Sequence, residues 1–328
     1  MKHFNNTQKI AVMSKTKTTK RFISSNELLK KLTGGEYKEI IGFASNREND
    51  LDVQIRDNYL NIYYRGGNLL RIHPRSFYFD EFYFHTNISC ERETRKTYIV
   101  EEAKKGNVGC KELIKEYKQK RDEKLDILKK KGMSEYCEEM RVIMDKWEKA
   151  LNKIGISHDE KNDQQKISMN NRGGTPYTVI DVEYAVSRNS NFHYDNVETG
   201  KKVPRFDLIV VDATGQLYVV ELKTGLGSIN GKSGIEDHID SFIHTIGRDN
   251  DEFLGEMSEM LKQKKELKLI GENVIIDKKK KPQFILAFSN KKGENNKYNE
   301  FVKKCRGEDI GYDGKIIYLD ESYCLKDR

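Results

Sequence analysis

Three side chains between positions 201 and 225, KKVPRFDLIVVDATGQLYVVELKTG, carry groups that could act on phosphorus. Asp207 stands in one apolar run, RFDLIVVD, and Glu221 and Lys223 stand in the next, LYVVELK. Side chains two apart on a strand point to the same face. Glu221 and Lys223 therefore project together, while Tyr218, Val220 and Leu222 face the other way. A tight turn at Ala213-Thr214-Gly215 would fold the two runs into a hairpin and bring Asp207 to the pair. Two carboxylates and an ammonium would then meet at the edge of a hydrophobic sheet. Burying such charges costs free energy unless something compensates them. A divalent metal with a phosphate partner is the economical compensation, because Mg²⁺ takes one or two carboxylates and completes its shell with waters and substrate phosphates. Metal-bound water loses its proton more readily and can attack phosphorus. A lysine alongside can orient that water or offset charge on the pentavalent centre.

The bland reading is an exposed strand face with an ordinary Glu–Lys pair. The setting argues against it. Apart from the three named residues, Phe206–Val211 and Leu217–Leu222 are apolar, the pattern of central strands covered on both faces. Charges inserted there need a reason. The arrangement Asp-x13-Glu-x-Lys across a hairpin resembles the PD-(D/E)xK nuclease superfamily, the restriction-endonuclease-like fold. That resemblance implies metal binding by Asp207 and Glu221, a catalytic role for Lys223, and Mg²⁺ (or Mn²⁺) as cofactor. One departure is that Pro204 lies three residues before Asp207 instead of adjacent to it.

The resemblance covers roughly residues 155–320. Residues 158–171 are expected as a helix, PYTVIDVEYAVS as a strand preceding the hairpin, and GIEDHIDSFIHTI as a helix following it. PQFILAFSN then reads as a strand, KYNEFVKKC as a helix and KIIYLD as a last strand. This order is the one the superfamily implies. Many such enzymes use a further acid upstream of the central aspartate, and two candidates exist. Glu160 would sit on the first helix near Gln164 and Gln165; Glu183 would sit on the preceding strand, two residues from Asp181. His238 and Asp237, on the helix after the hairpin, lie within reach of the cleft, although a lone helix histidine is ordinarily surface or core. Arg205 and Lys232 are the cations expected near a scissile phosphate. Lys278, Lys279, Lys280 and Lys281 form a basic run of the kind that solvates a loop or holds a nucleic-acid backbone.

Residues 1–21 read as a basic tail and 22–108 as an N-terminal β-rich domain. Its runs LDVQIR, YLNIYYR and NLLRIH are separated by Asp57-Asn58 and Gly66-Gly67, and SFYFDEFYF is a candidate fourth strand. Ser25 is placed to cap a helix over Glu27–Leu32. The aromatics and arginines here, among them Arg56, Tyr59, Tyr63 and Arg71, could stack on bases, but aromatics in a sheet more simply face a core. Residues 109–154 read as a helical connector: LIKEYKQKRDEKLDILKK ending near Gly132, then a helix with Met140, Ile143, Met144, Trp147 and Leu151 on one face. This segment also offers a contact for a homodimer. Residues 155–328 form the nuclease-like domain. The fold class expected is therefore mixed α+β or α/β, with a C-terminal mixed sheet flanked by helices and an N-terminal β-meander.

At 328 residues the chain can bury a substantial core. A net charge of +7 suits a polyanionic partner. Five cysteines, odd in number and without Cys-x-x-Cys spacing, argue for a reducing compartment and against a zinc site. No apolar run approaches the ~18–20 residues of a membrane span. The expectation is thus a cytoplasmic, metal-dependent phosphodiesterase acting on nucleic acid, with DNA the expected class and no membrane partner; restriction of foreign DNA is the role the resemblance suggests. Two other readings compete. One is a nuclease-like fold that binds nucleic acid or protein without cutting. The other is a phosphate-binding loop in TGLGSINGKSG, whose glycine spacing misses by one position because residue 226 is Leu.

Overall fold

The computed structural model describes residues 20–79, 95–153, 159–186, 204–226, 229, 234–247, 250–289 and 295–328. Helix α1, Asn26–Thr33, starts where Ser25 accepts a hydrogen bond from the Leu28 backbone N–H, satisfying one of the orphan donors of its first turn. Helix α2, Lys38–Ser45, follows and buries Ile40, Ile41 and Ala44. Strands β1 (Asp52–Arg56), β2 (Tyr59–Tyr64), β3 (Gly67–Ile72) and β4 (Phe77–Phe79) then form an antiparallel sheet in sequence order. The β2–β3 turn is centred on Arg65 and Gly66, φ 46° and 70°, one residue earlier than expected. Such a two-residue turn needs positive φ at both central positions, and Gly67 already belongs to the β3 ladder opposite Tyr64.

The charged middle segment is helical: α3, Arg95–Lys104; α4, Val108–Asp122; and α5, Lys124–Lys153. The single helix expected up to Gly132 is divided after Asp122, and Gly132 (φ 82°, ψ 176°) breaks α5. Met140, Ile143, Met144, Trp147 and Leu151 are all buried, as the helical spacing of that apolar stripe requires.

Beyond it come α6 (Asp159–Asn170), β5 (Tyr177–Ala185), β6 (Arg205–Asp212), β7 (Leu217–Lys223), α7 (Ile235–His244), α8 (Asn250–Glu266), β8 (Gln283–Ser289), α9 (Asn295–Cys305), β9 (Ile316–Leu319) and β10 (Leu325–Lys326). The second sheet has the order β10-β9-β8-β7-β6-β5. Strands β5, β6 and β7 are antiparallel, and β7, β8 and β9 are parallel. Helix α8 is an addition to the expected order. Its Phe253, Leu254, Met257, Met260 and Leu261 are buried at the spacing of an amphipathic helix. Helices α7, α8 and α9 share one core with Ile209, Val219, Leu286 and Phe288 of the sheet. Leu208, Val210, Val220 and Leu222 belong to a second core with Ile167 of α6. The sheet is thus covered on both faces, which is why its central strands read as continuous apolar runs.

The two sheets are joined by both apolar and polar contacts. The larger core runs without a break from Ile23 through the β1–β3 strands to Tyr312. The polar seam is made by β1. Arg56 donates to Asp181 at 2.6 Å and to the Val182 carbonyl at 3.2 Å. Ser168 of α6 donates to Asp52 at 2.9 Å, and Lys264 of α8 donates to Gln54 at 2.9 Å. These side chains are buried. Arg56, from the expected nucleic-acid surface, is therefore an internal counterion for Asp181.

Candidate active site

The β6–β7 hairpin pairs Leu208 with Val220 and Val211 with Leu217, so Asp207 lies across from Glu221 in that register. The ladder ends at Leu208. One residue further, the Asp207 carboxylate accepts the Leu222 backbone N–H at 2.8 Å, replacing the strand–strand hydrogen bond that would otherwise continue. The sheet opens at this point. Residues two apart on a strand ordinarily share a face, yet Phe206 joins one core and Leu208 the other. The same reversal occurs on the neighbouring strand, where Tyr184 and Val182 join opposite cores. Glu183 lies between them at φ 50°, in the left-handed region that a non-glycine residue rarely occupies. The adjacent strands therefore twist out of their pleat together at Glu183 and Asp207, bringing Asp207 to the rim.

Glu221 and Lys223 sit on fully buried β7, at 5% and 4% exposure. Lys223 Nζ donates to Glu221 Oε1 at 3.0 Å. His238 of α7 places its Nε2 3.1 Å from the same oxygen. The other oxygen, Glu221 Oε2, is buried and has no hydrogen-bond partner among the described residues. From the opposite side of the sheet, Gln164 of α6 donates its amide to Asp207 Oδ1 at 3.0 Å.

The electrostatics follow from this crowding. Burial and the neighbouring Glu221 charge hold the Asp207 carboxyl well above the usual carboxylate range, against the opposing pull of the Leu222 N–H and Lys223. Burial pushes Glu221 up to about 7; Lys223 opposes that rise and Glu160 adds to it. Burial, then Lys223, pushes His238 down to about 4, so its ring is neutral near pH 7. A site whose carboxylates resist ionisation in the absence of a counter-charge is one that a divalent cation would relieve.

The two upstream acids now separate. Glu160 begins α6 one turn before Gln164, and its charge is felt at both Asp207 and Glu221. Glu183 is instead engaged by Lys161 at 3.5 Å and Arg205 at 3.8 Å. Arg205 is exposed at the rim, beside Glu183. Lys232 lies outside the described residues, as does most of the glycine-rich loop. Lys278, Lys279, Lys280 and Lys281 are at the other end of the hairpin. Asp277 N–H donates to Gly215 O, Lys280 Nζ donates to Thr214 O, and Gln216 donates to Lys281 O. That turn lies roughly 13 Å along β7 from Glu221, counting four residues at 3.3 Å each. Asp212, the acid a nucleotide-loop reading would use, spends its carboxylate accepting from Thr214, Gln216 and Tyr218; it braces the turn.

Asp207 and Glu221 supply carboxylate oxygens of the kind a hard divalent cation takes, and one of them, Glu221 Oε2, is buried without a partner, while among the described residues no group of three or more His, Cys, Asp or Glu side chains is gathered to hold a metal. Gln164 was legible in the sequence only as a neighbour of Glu160; the helical i, i+4 spacing that puts both on one face was the available signal. No family model, curated protein or solved structure matches the chain.

Proposed function

We propose that the protein is a metal-dependent nuclease of the PD-(D/E)xK kind, hydrolysing phosphodiester bonds of nucleic acid, with DNA the expected substrate, on a restriction-endonuclease-like domain spanning 155–328. The observation carrying this reading is the convergence of Asp207, Glu221 and Lys223 where the β6–β7 ladder opens, with a buried Glu221 oxygen left unpartnered. Asp207 and Glu221 would hold Mg²⁺ or Mn²⁺, with Glu160 contributing a third charge. The cation, when bound, supplies a more acidic water and charge neutralisation on the phosphoryl oxygens. Three carboxylates against one ammonium leave a net charge of minus two, the complement of one divalent ion. Lys223 lies beside the ligand oxygen, where its ammonium can orient an attacking water and stabilise charge that grows on phosphorus. Arg205 and Lys161, cations on the rim by Glu183, suit a phosphate backbone entering from that side. Restriction of foreign nucleic acid is the biological role that matches this chemistry.

The test is a cleavage panel. Supercoiled plasmid and single-stranded DNA and RNA are incubated with Mg²⁺, Mn²⁺ or EDTA, beside Asp207→Ala and Lys223→Ala. Metal-dependent cutting, lost by roughly 10²–10³-fold in each variant, is expected from removal of a ligand or a charge-stabilising group. Retention of nucleic acid without cutting at any metal concentration would make the domain a binding module instead.

A further inference from the structure

We propose that Gln164 and His238 are positioning residues for the metal site, clamping Asp207 and Glu221 from the two opposite faces of the sheet. The inference rests on the nuclease reading and goes beyond it by assigning work to two side chains outside the Asp–Glu–Lys set.

A carboxylate on a strand rotates about two or three single bonds, and a cation needs its oxygens held before it arrives. Each carboxylate here has one oxygen met by a side-chain nitrogen from a helix, as a hydrogen bond at Asp207 and as a close contact at Glu221. Gln164 Nε2 to Asp207 Oδ1 is 3.0 Å, and His238 Nε2 to Glu221 Oε1 is 3.1 Å. The Leu222 N–H takes the second oxygen of Asp207 and Lys223 shares the first oxygen of Glu221. The result is that Glu221 Oε2 is the oxygen left over. Both side chains are carried by helices whose apolar residues are anchored in different cores: Ile167 of α6 in one, Ile235 and Ile239 of α7 in the other. Gln164 is a buried amide, and the polar cost of burying it is met by the bond to Asp207. Gln165, next along α6, ties the same helix to the first sheet by accepting the Gly66 N–H and donating to the Asp50 carbonyl. Helix α6 is thereby held at both ends of its reach: against the β2–β3 turn on one side and against Asp207 on the other.

Outer-sphere hydrogen bonds to metal ligands are typically worth 10–100-fold in metal affinity. The experiment measures Mn²⁺ binding by isothermal titration calorimetry, without substrate, and the Mg²⁺ dependence of cleavage with it, for wild type, Gln164→Leu, His238→Ala and His238→Gln. Thermal melts check that each variant folds. About 10-fold weaker Mn²⁺ binding is expected for Gln164→Leu and His238→Ala, with the Mg²⁺ concentration for half-maximal cleavage raised in parallel and the rate at saturating Mg²⁺ within about 3-fold of wild type. His238→Gln, which keeps a polar nitrogen able to reach Glu221 Oε1, should recover most of the affinity. Asp207→Asn and Glu221→Gln are the reference: each should abolish Mn²⁺ binding. If those two lose the metal while Gln164→Leu and His238→Ala bind it like wild type, the clamp is wrong and the nuclease reading stands. If Asp207→Asn and Glu221→Gln bind Mn²⁺ unchanged, the nuclease reading itself fails. Should His238→Ala melt too low to titrate, His238→Gln and Gln164→Leu still decide the matter.

Discussion

Glu221 concentrates the physical tension of this molecule in one side chain. It is buried on a central strand and has one oxygen shared by Lys223 and His238 and the other unpartnered among the described residues. Its folded carboxyl is raised from 4.5 to about 7, so the native state holds a proton there that the unfolded state has released. The unfolded chain binds fewer protons between those two values, and stability must fall as pH climbs through that window. The metal-free protein should therefore lose up to about 3 kcal/mol between pH 4.5 and 7, at 1.36 kcal/mol per pKa unit. Glu221→Gln should reduce that slope, leaving the part contributed by the raised Asp207 carboxyl, and saturating Mg²⁺ should restore stability at pH 7.5 and above in wild type. Melting temperatures across the pH range, with and without EDTA, check this. A slope unchanged in the Gln variant would assign the pH dependence to another group.

Helix α6 is the element on which the site depends most. Its first turn brings Glu160, its second Gln164, and its third Ser168, which bonds Asp52 of β1. What fixes its position is the β2–β3 turn. A Cβ built on Gly66 would lie 2.7 Å from the Lys161 backbone carbonyl carbon and 2.8 Å from the Asn162 nitrogen, at φ 70°. Gly66→Ala must therefore either strain the turn or push the helix. It should destabilise the fold by about 1–3 kcal/mol and, by displacing Gln164, lower cleavage at limiting metal more than at saturating metal. Denaturant unfolding and a Mg²⁺ titration of the same preparation separate the two effects. A fully active, fully stable Gly66→Ala would show that the turn does not set the helix.

Across the whole chain, the expected division into an N-terminal β-rich domain, a connector and a nuclease-like domain meets a continuous core and a buried ionic seam. Asp181 is fully buried, bound at 2.6 Å by Arg56 from the first sheet and approached at 3.6 Å by Arg21. Removing one partner of a buried pair leaves an uncompensated charge, at a cost of about 3–5 kcal/mol. Arg56→Ala should lower stability by that amount, in one cooperative transition that reports both sheets together. Intrinsic tryptophan fluorescence from Trp147 and far-ultraviolet dichroism provide the two probes. Transitions that separate would mean the two sheets melt independently. No described helix is long and apolar enough to cross a membrane.

Much of the architecture is local and could be read from order alone. The alternation of apolar runs and turn residues around Asp57-Asn58 and Ala213–Gly215 marks strands and hairpins. The spacing of Met140, Ile143, Met144, Trp147 and Leu151 marks a buried helix face, and the Asp–Glu–Lys set stands out because charges interrupt strands that are otherwise hydrophobic. Helix α8 carries the same kind of periodic signal at Phe253, Leu254, Met257 and Met260, in a stretch flanked by two more strongly patterned elements. Other features depend on what residues distant in sequence do to one another. Periodicity cannot say that the pleat reverses at Glu183 and Asp207, since that follows from two strands twisting together. Nor can it say that the Glu160 charge acts on Asp207 and Glu221 while Glu183 is taken by Lys161 and Arg205, or that the four-lysine run ends up beside Gly215, a strand's length from Glu221. Amino-acid order names the reactive groups because burial of charge is improbable without cause; which groups share one point is decided by helix and strand packing, where neighbours come from anywhere in the chain.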